Sequence, residues 1–321
     1  MRVLIADAFE AAGIQGLEAL GCEVVSSPAL SGETLAAACA ELQPDVLVVR
    51  STKVTEPVLD AASPGLRLVI RAGAGVDTID VAAASRRAIF VANCPGMNSV
   101  AVAELAFGLI AALDRRIPDN VAKLRAGEWA KAEFSKARGL YGRTLGIVGL
   151  GAIAIELVKR AQAFGMPVIA WSRSLDDDTA TRLGVRRAAS PEEVAAASDV
   201  VSVHVALTDA TRGFIGRPFF AAMRDGASFV NTSRAEVVDA AALREAIAGK
   251  GLKVALDVWP DEPAGGTGEF RSDLASLPGV IGTAHIGAST EQAQQAIAAE
   301  AVRIVAEFAA GREVPNVVNM T

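Results

Sequence analysis

The sequence predicts an α/β protein of two doubly wound parallel-sheet domains, one inserted into the other. Three observations carry this. Short β-branched runs alternate with helical segments along the 321 residues, the pattern of βαβ units and a parallel sheet. Near the middle of the chain, GLGAIA (149–154) opens a second series of such units with a strand, a glycine turn and a helix. The last helical segment, 290–310, follows the final strand of that second series and has no partner strand in it. It therefore returns to the first domain, and the chain crosses between domains twice, near Asn98 and near Gly287.

The first series reads RVLIAD (2–7), CEVVSS (22–27), VLVVRS (46–51), LRLVIRAG (66–73) and IFVANC (89–94). Near-continuous apolar runs of this kind suit strands covered on both faces. Next comes VAVAELAFGLIAALDRRI (100–117), apolar almost all round, which a helix with one solvent face does not need. It is expected to run between the domains or into a subunit interface. The second series follows as TLGIVG (144–149), PVIAWS (167–172), DVVSVHV (199–205), ASFVNTS (227–233), LKVALDVW (252–259) and VIGTAHIG (280–287). After its first strand, Ala154, Leu157, Val158, Ala161 and Phe164 have the spacing of one helix face. Gly149 allows the tight turn and Gly151 lets the backbone approach a pyrophosphate, which the helix N-terminus attracts with unpaired N–H groups and its dipole. Ala154 takes the third glycine's place. A glycine turn alone occurs in many α/β proteins, so the rest of the chain must decide.

Composition narrows the partners. The net charge is −6 and Lys and Arg form no basic block, so neither nucleic acid nor an anionic membrane has electrostatic support, and a small-molecule partner is expected. The first apolar segment carries Asp7 and Glu10 and lacks a signal peptide's longer core and cleavage pattern. The most apolar helix, 100–113, is too short to span a bilayer and contains Glu104. A soluble cytoplasmic protein is expected. Cys22, Cys39 and Cys94 are odd in number without C-x-x-C spacing, so no disulfide framework and no metal site is indicated.

A histidine acid/base has two candidates, His204 and His285, each at the end of a predicted strand. Strand C-termini of an open α/β sheet point into the ligand crevice. Upstream of His285 lie Arg234, Asp257 and Glu262, all at strand ends or just beyond. The set suits hydride transfer: a histidine takes a hydroxyl proton, a carboxylate holds the imidazolium, and an arginine clamps a substrate carboxylate in a planar two-point contact.

With these segments in view, VRSTKVT (49–55), RAGAGVDTID (71–80), NCPGMNSVAVAE (93–104), GRTLGIVGLG (142–151), NTSRAEVVDAAAL (231–243), ALDVWPDEP (255–263), HIGAST (285–290) and VVN (317–319) resemble, in order, the D-isomer-specific 2-hydroxyacid dehydrogenases. The resemblance implies a Rossmann cofactor domain, 99–286, inserted into a flavodoxin-like substrate domain, 1–98 and 287–321, in a homodimer built on the cofactor domains. It implies His285 as general acid/base, Glu262 as its orienting partner and Arg234 as the anchor of the 2-oxo or 2-hydroxy acid. The backbone at Gly73, Ala74 and Gly75 would receive the substrate carboxylate. Asp257 would hydrogen-bond the nicotinamide carboxamide, Ala152 and Ile153 would face the pyrophosphate, Asn98 and Ser99 would stand at the hinge, and His204 and Ser233 would line the cofactor site. Arg50, Ser51 and Lys53 would supply the polar and positive charge that a phosphorylated substituent needs.

Several positions depart from the family pattern. Ala284 replaces the proline that usually precedes the histidine, and Ala235 the glycine that usually follows the arginine. After the second strand of the nucleotide unit, where NAD users place a ribose-binding aspartate, the chain has Ser172 and Arg173. Losing that carboxylate removes repulsion toward a 2′-phosphate, so NADP becomes acceptable beside NAD. The resemblance is strongest to members oxidising a phosphorylated three-carbon hydroxy acid. Members reducing glyoxylate or hydroxypyruvate are the alternative, and the corepressors on the same scaffold, which bind nucleotide and recruit partners, are the alternative from another class.

Overall fold

The computed structural model describes residues 1–263 and 267–319. The chain divides into two compact units, Met1–Asn98 with Ser289–Thr321, and Ser99–Ala288. Each carries one parallel sheet.

In the first unit β1 (Arg2–Ile5), β2 (Glu23–Ser26), β3 (Val46–Val49), β4 (Leu68–Arg71) and β5 (Phe90–Asn93) lie in the order β2-β1-β3-β4-β5. This is the flavodoxin-like order, whose crevice opens at the C-terminal ends of β1 and β3, where the winding reverses. Alternate residues of each strand face opposite cores. Val3, Ile5, Val46, Val48, Leu68 and Ile70 pack against Ile297, Ala301, Ile304 and Val305 of the helix Glu291–Ala309. Leu4, Leu47, Val69 and Val91 pack on the other face with Leu35, Leu59 and Ala83. The last long helix thus belongs to the first unit. Its N-terminus is capped by Thr290, whose hydroxyl accepts from the Ala293 N–H. Past it, Val317 pairs antiparallel with Ala92, and the Asn319 side chain takes the Val91 N–H at 2.9 Å, which covers the open edge of β5.

In the second unit β6 (Leu145–Val148), β7 (Val168–Trp171), β8 (Arg186–Arg187), β9 (Val200–Val203), β10 (Ser228–Asn231), β11 (Lys253–Leu256) and β12 (Val280–Gly282) have the order β12-β11-β10-β9-β6-β7-β8. Counted from β6, this is the Rossmann order extended by one strand, and its switch point lies between β6 and β9. The strands β6, β9 and β10 are buried along their whole length, as strands covered on both faces must be. The two-residue β8 has no counterpart in the sequence reading: Arg186 and Arg187 are both exposed and give no apolar signal.

The helix Ser99–Arg115 packs into the core of the second unit. Ala103, Ala106, Phe107, Ile110 and Leu113 join Leu145, Ile147, Leu157 and Val158 in one apolar cluster, and the Phe107 and Phe164 ring centroids are 4.5 Å apart. It packs against the helix Ala152–Ala163 and the strands β10 and β11. At its end, buried Asp114 accepts from Arg143 at 2.9 Å and from the Gly139 N–H, which ties the helix to the chain entering β6.

Cys22, Cys39 and Cys94 are free and buried. Burial pushes the Cys39 thiol up to about 11 and Cys94 to about 12, so neither supplies a thiolate nucleophile. Among the described residues no helix is long and apolar enough to cross a membrane.

Candidate active site

The glycine turn after β6 has the geometry of an anion cradle. Gly149 sits at φ +89°, and a Cβ there would lie 2.6 Å from the carbonyl oxygen of His204, so no side chain fits between the ends of β6 and β9. Gly151 caps the helix Ala152–Ala163 in extended conformation without a side-chain cap hydrogen bond, and no acidic residue stands in the first turn. A Cβ on Gly151 would meet nothing within 4 Å. The helix therefore presents bare N–H groups at Ala152 and Ile153 beside open space, and these residues fit a dinucleotide's pyrophosphate.

At the ends of β10, β11 and β12 stand the four residues singled out above. His285 Nδ1 is 2.8 Å from Glu262 Oε2, with the imidazole 48% and the carboxylate 34% exposed. The other Glu262 oxygen accepts from the Trp259 backbone N–H at 2.8 Å. Partial burial pushes the Glu262 carboxyl up, but the hydrogen bonds from His285 and Trp259 and the positive charge of Arg234 outweigh it and hold it below its usual range. An ionised Glu262 accepts the Nδ1–H, which leaves Nε2 of His285 as the proton acceptor. Arg234 donates to the Ser233 carbonyl at 2.8 Å, and its own carbonyl accepts from Asn231. Ser233 turns inward: its N–H and hydroxyl both donate to Asn231 Oδ1. Ala235, in the place of the family's glycine, opens a short 3₁₀ turn, Ala235–Val237, without a left-handed φ.

Asp257 is buried, and its carboxylate is occupied. Oδ1 accepts from the Thr283 hydroxyl at 2.5 Å and the Ile286 N–H at 2.9 Å, and Oδ2 accepts from the Gly287 N–H at 2.9 Å. The Asp257 carbonyl also takes the His285 N–H. Between these anchors His285 has φ +52°, a left-handed conformation that costs a non-glycine residue roughly 1–2 kcal/mol.

His204 follows β9 and shares a 2.9 Å hydrogen bond between Nε2 and the Ser202 hydroxyl. Burial pushes its imidazole down to about 4, so it is neutral at physiological pH. After β7, Ser172 is half-buried and its hydroxyl contacts only Ser174, while Arg173 is exposed and makes no hydrogen bond or ion pair among the described residues.

In the first unit, Asp7 follows β1 and organises the loop after β3. Its carboxylate accepts from the N–H groups of Arg50, Ser51 and Thr52 at 2.6, 3.2 and 3.1 Å and from the Ser51 hydroxyl. The Arg50 guanidinium donates to Ser289 at 3.2 Å. Lys53 is exposed beside an open pocket of about 310 Å³ that Thr55, Asp77 and Thr78 also line. After β4, Gly73 has φ +154°, and a Cβ there would collide with the Arg71 guanidinium. The Ala74 carbonyl is fixed by Asn93 Nδ2, and the N–H groups of Ala74 and Gly75 carry no hydrogen bond among the described residues. Asn98 Oδ1 and Thr232 Oγ1 are buried without a partner. Sequence reasoning missed Asp7, Arg71, Thr232, Thr283 and Trp259. Only Asp7 had a signal, a carboxylate at the end of the first strand.

Residues 107–287 match the model of the D-isomer specific 2-hydroxyacid dehydrogenase NAD binding domain. The chain belongs to this family. Among other 2-hydroxyacid dehydrogenases, it is 41% identical over its whole length to the D-3-phosphoglycerate dehydrogenase of Methanocaldococcus jannaschii, of which it covers 60%. It is 43% identical to the hydroxypyruvate reductase of Thermotoga maritima over 80% of this chain and 82% of that one. The crystal structure of NAD+-bound 3-phosphoglycerate dehydrogenase in Entamoeba histolytica superposes with a TM-score of 0.83 at 25% identity, covering 100% of this chain and 99% of that one. The chain spans about three fifths of the length of the phosphoglycerate dehydrogenase relatives it matches.

Proposed function

We propose that the chain is a D-2-hydroxyacid dehydrogenase that oxidises 3-phosphoglycerate to 3-phosphohydroxypyruvate, the first committed oxidation toward serine, in the cytoplasm. The observation that carries the reading is the 2.8 Å contact of His285 with an ionised Glu262. In oxidation Nε2 of His285 accepts the C2 hydroxyl proton, and Glu262 holds the resulting imidazolium; in reduction the proton returns to C2–O⁻. Arg234 draws the C2 oxygen and carboxylate into register. The unpaired N–H groups of Ala74 and Gly75 receive the carboxylate, and Arg50, Ser51 and Lys53, with Arg71, supply donors for the phosphate. The nicotinamide cofactor, when bound, supplies the hydride acceptor or donor.

The cofactor domain is then the unit 99–286 and the substrate domain 1–98 with 287–321. Gly149, Gly151, Ala152 and Ile153 take the pyrophosphate, and His204, Ser233 and Asp257 border the nucleotide. Ser172 and Arg173 extend the choice to NADP: no carboxylate opposes a 2′-phosphate there, and the Arg173 guanidinium has no other partner among the described residues. Ile117, Val121, Leu124, Trp129 and Tyr141 are exposed, the last two at 82% and 88%. Exposed side chains of this apolar character on the cofactor domain suit burial against a second copy in a homodimer.

The Thermotoga maritima relative, matched over most of both chains, favours a second reading, reduction of hydroxypyruvate or glyoxylate. A panel of 3-phosphoglycerate, hydroxypyruvate and glyoxylate against NAD(H) and NADP(H) separates the two. Highest kcat/KM with 3-phosphoglycerate supports the first, a preference for the unphosphorylated 2-oxo acids supports the second, and no turnover with any of them removes both.

A further inference from the structure

We propose that Trp259 is the positioning residue that sets the geometry between Glu262 and His285, because it bonds to both segments that carry the pair. The proposal rests on the acid/base reading above. Glu262 and His285 stand on different stretches of chain, one after β11 and one after β12, so their 2.8 Å contact needs something that fixes one stretch against the other. Trp259 has a donor on each. Its backbone N–H donates to Glu262 Oε1 at 2.8 Å, and its indole Nε1–H donates to the Thr283 carbonyl at 2.9 Å, two residues before His285.

The indole is held firmly enough to act as a spacer. It is 7% exposed, and a Cβ on Gly282 would lie 2.2 Å from its Cζ2, so the ring lies directly over the end of β12. Phe270 closes the other side edge-on, with centroids 5.3 Å apart. Thr283 is in turn fixed by its N–H to the Leu256 carbonyl and by its hydroxyl to Asp257. Its carbonyl therefore faces the indole from an anchored backbone. A phenylalanine would fill most of the ring's volume but leave that carbonyl unpaired. The N–H, rather than the bulk, is what links the two members. The backbone bond also commits one Glu262 oxygen, so the other is the one aimed at His285.

The test is a cycle of Trp259→Phe, Glu262→Ala and the double variant, read by kcat, KM and the pH profile of reduction. Trp259→Phe should lower kcat about three- to tenfold, the scale of one hydrogen bond, with substrate KM and cofactor Kd changed less than about twofold. It should also move the fall in reduction rate to lower pH, because an imidazolium with a misaligned partner gives up its proton more readily. In the Glu262→Ala background the same change should cost nothing further in kcat, since nothing is left to aim. Additive losses would overturn the proposal, as would a lowered Tm with kcat and pH profile unchanged. If Trp259→Phe does not fold, 3-benzothienylalanine at position 259 removes the N–H at the same ring size, and the cycle is read with it. Full turnover in His285→Ala would bring down the acid/base reading itself, whereas normal single-variant behaviour with an additive cycle brings down only the role of Trp259.

Discussion

The carboxylate of Asp257 holds the two backbone N–H groups that follow His285, those of Ile286 and Gly287, each at 2.9 Å. The acid/base candidate is thereby kept in a left-handed turn that an unsupported histidine would leave. Asp257→Asn exchanges one acceptor oxygen for an NH₂ facing a backbone N–H. kcat should drop by about ten- to a hundredfold, the scale of one or two hydrogen bonds. Steady-state kinetics checks this beside cofactor titration: an unchanged kcat with only a raised cofactor KM would mean that Asp257 serves the cofactor alone.

His285→Ala should lower turnover by roughly 10²- to 10⁴-fold, the usual loss for a positioned general acid/base, while cofactor binding stays near normal. His204→Ala should be much milder, because His204 is engaged with Ser202 rather than with a carboxylate. Stopped-flow measurement of both variants decides, and near-normal kcat in His285→Ala would end the assignment.

Glu262→Gln removes the anion beside His285 and keeps most of the shape. The protonated ring then loses its stabilising partner and releases its proton at lower pH. Reduction needs the protonated ring, so its kcat/KM should begin to fall at lower pH than in the wild type; oxidation needs the free base and should begin to rise at lower pH. Profiles in both directions that superpose on the wild type would separate Glu262 from proton transfer.

Without a carboxylate after β7, the wild-type protein should turn over with NADPH at a rate comparable to or above that with NADH. Ser172→Asp should shift preference toward NADH, and Arg173→Ala should weaken NADPH more than NADH by about 1.5–3 kcal/mol, the range of a charged hydrogen bond. Calorimetric titration with both cofactors reads the difference. Equal loss for the two would leave Arg173 as a solvated side chain.

His204 makes stability depend on pH. Its imidazole goes from 6.5 to about 4 on folding, so between those values the unfolded chain binds a proton that the folded chain does not. Its contribution to stability is full above pH 6.5, is lost as pH falls toward 4, and changes no further below. His204→Gln can still bond Ser202 but does not titrate there, so its Tm should fall less between pH 7 and pH 5. Parallel Tm curves for wild type and variant would count against the assignment.

The sheets and much of the candidate site are legible because they follow local rules. Apolar runs such as VLVV and GIVG mark buried parallel strands, and Gly149 and Gly151 mark a turn that few other residues could make. His285, Glu262 and Arg234 lie within motifs matched over the whole chain. What escaped was set by contacts between distant residues. The helix Ser99–Arg115 buries Ala103, Phe107 and Ile110 against a second helix and strands that its own sequence does not contain. Trp259 reads as a core aromatic, since an indole N–H 24 residues from its acceptor leaves no periodic trace. The carboxylate of Asp257 likewise finds partners about thirty residues ahead.

The helix Glu291–Ala309, which covers Val3, Ile5, Val46, Val48, Leu68 and Ile70, has a consequence for biosynthesis. When β5 leaves the ribosome, one face of the first sheet has only the helix Ala11–Ala19, through Leu17, as cover, and the rest of its cover lies about two hundred residues downstream. At about 5–20 residues per second that face waits roughly 10–40 s. The second unit is contiguous in sequence and can close meanwhile. The nascent chain thus completes its middle before its beginning, and in that interval the half-covered side of β1, β3 and β4 is the surface that a chaperone would shield.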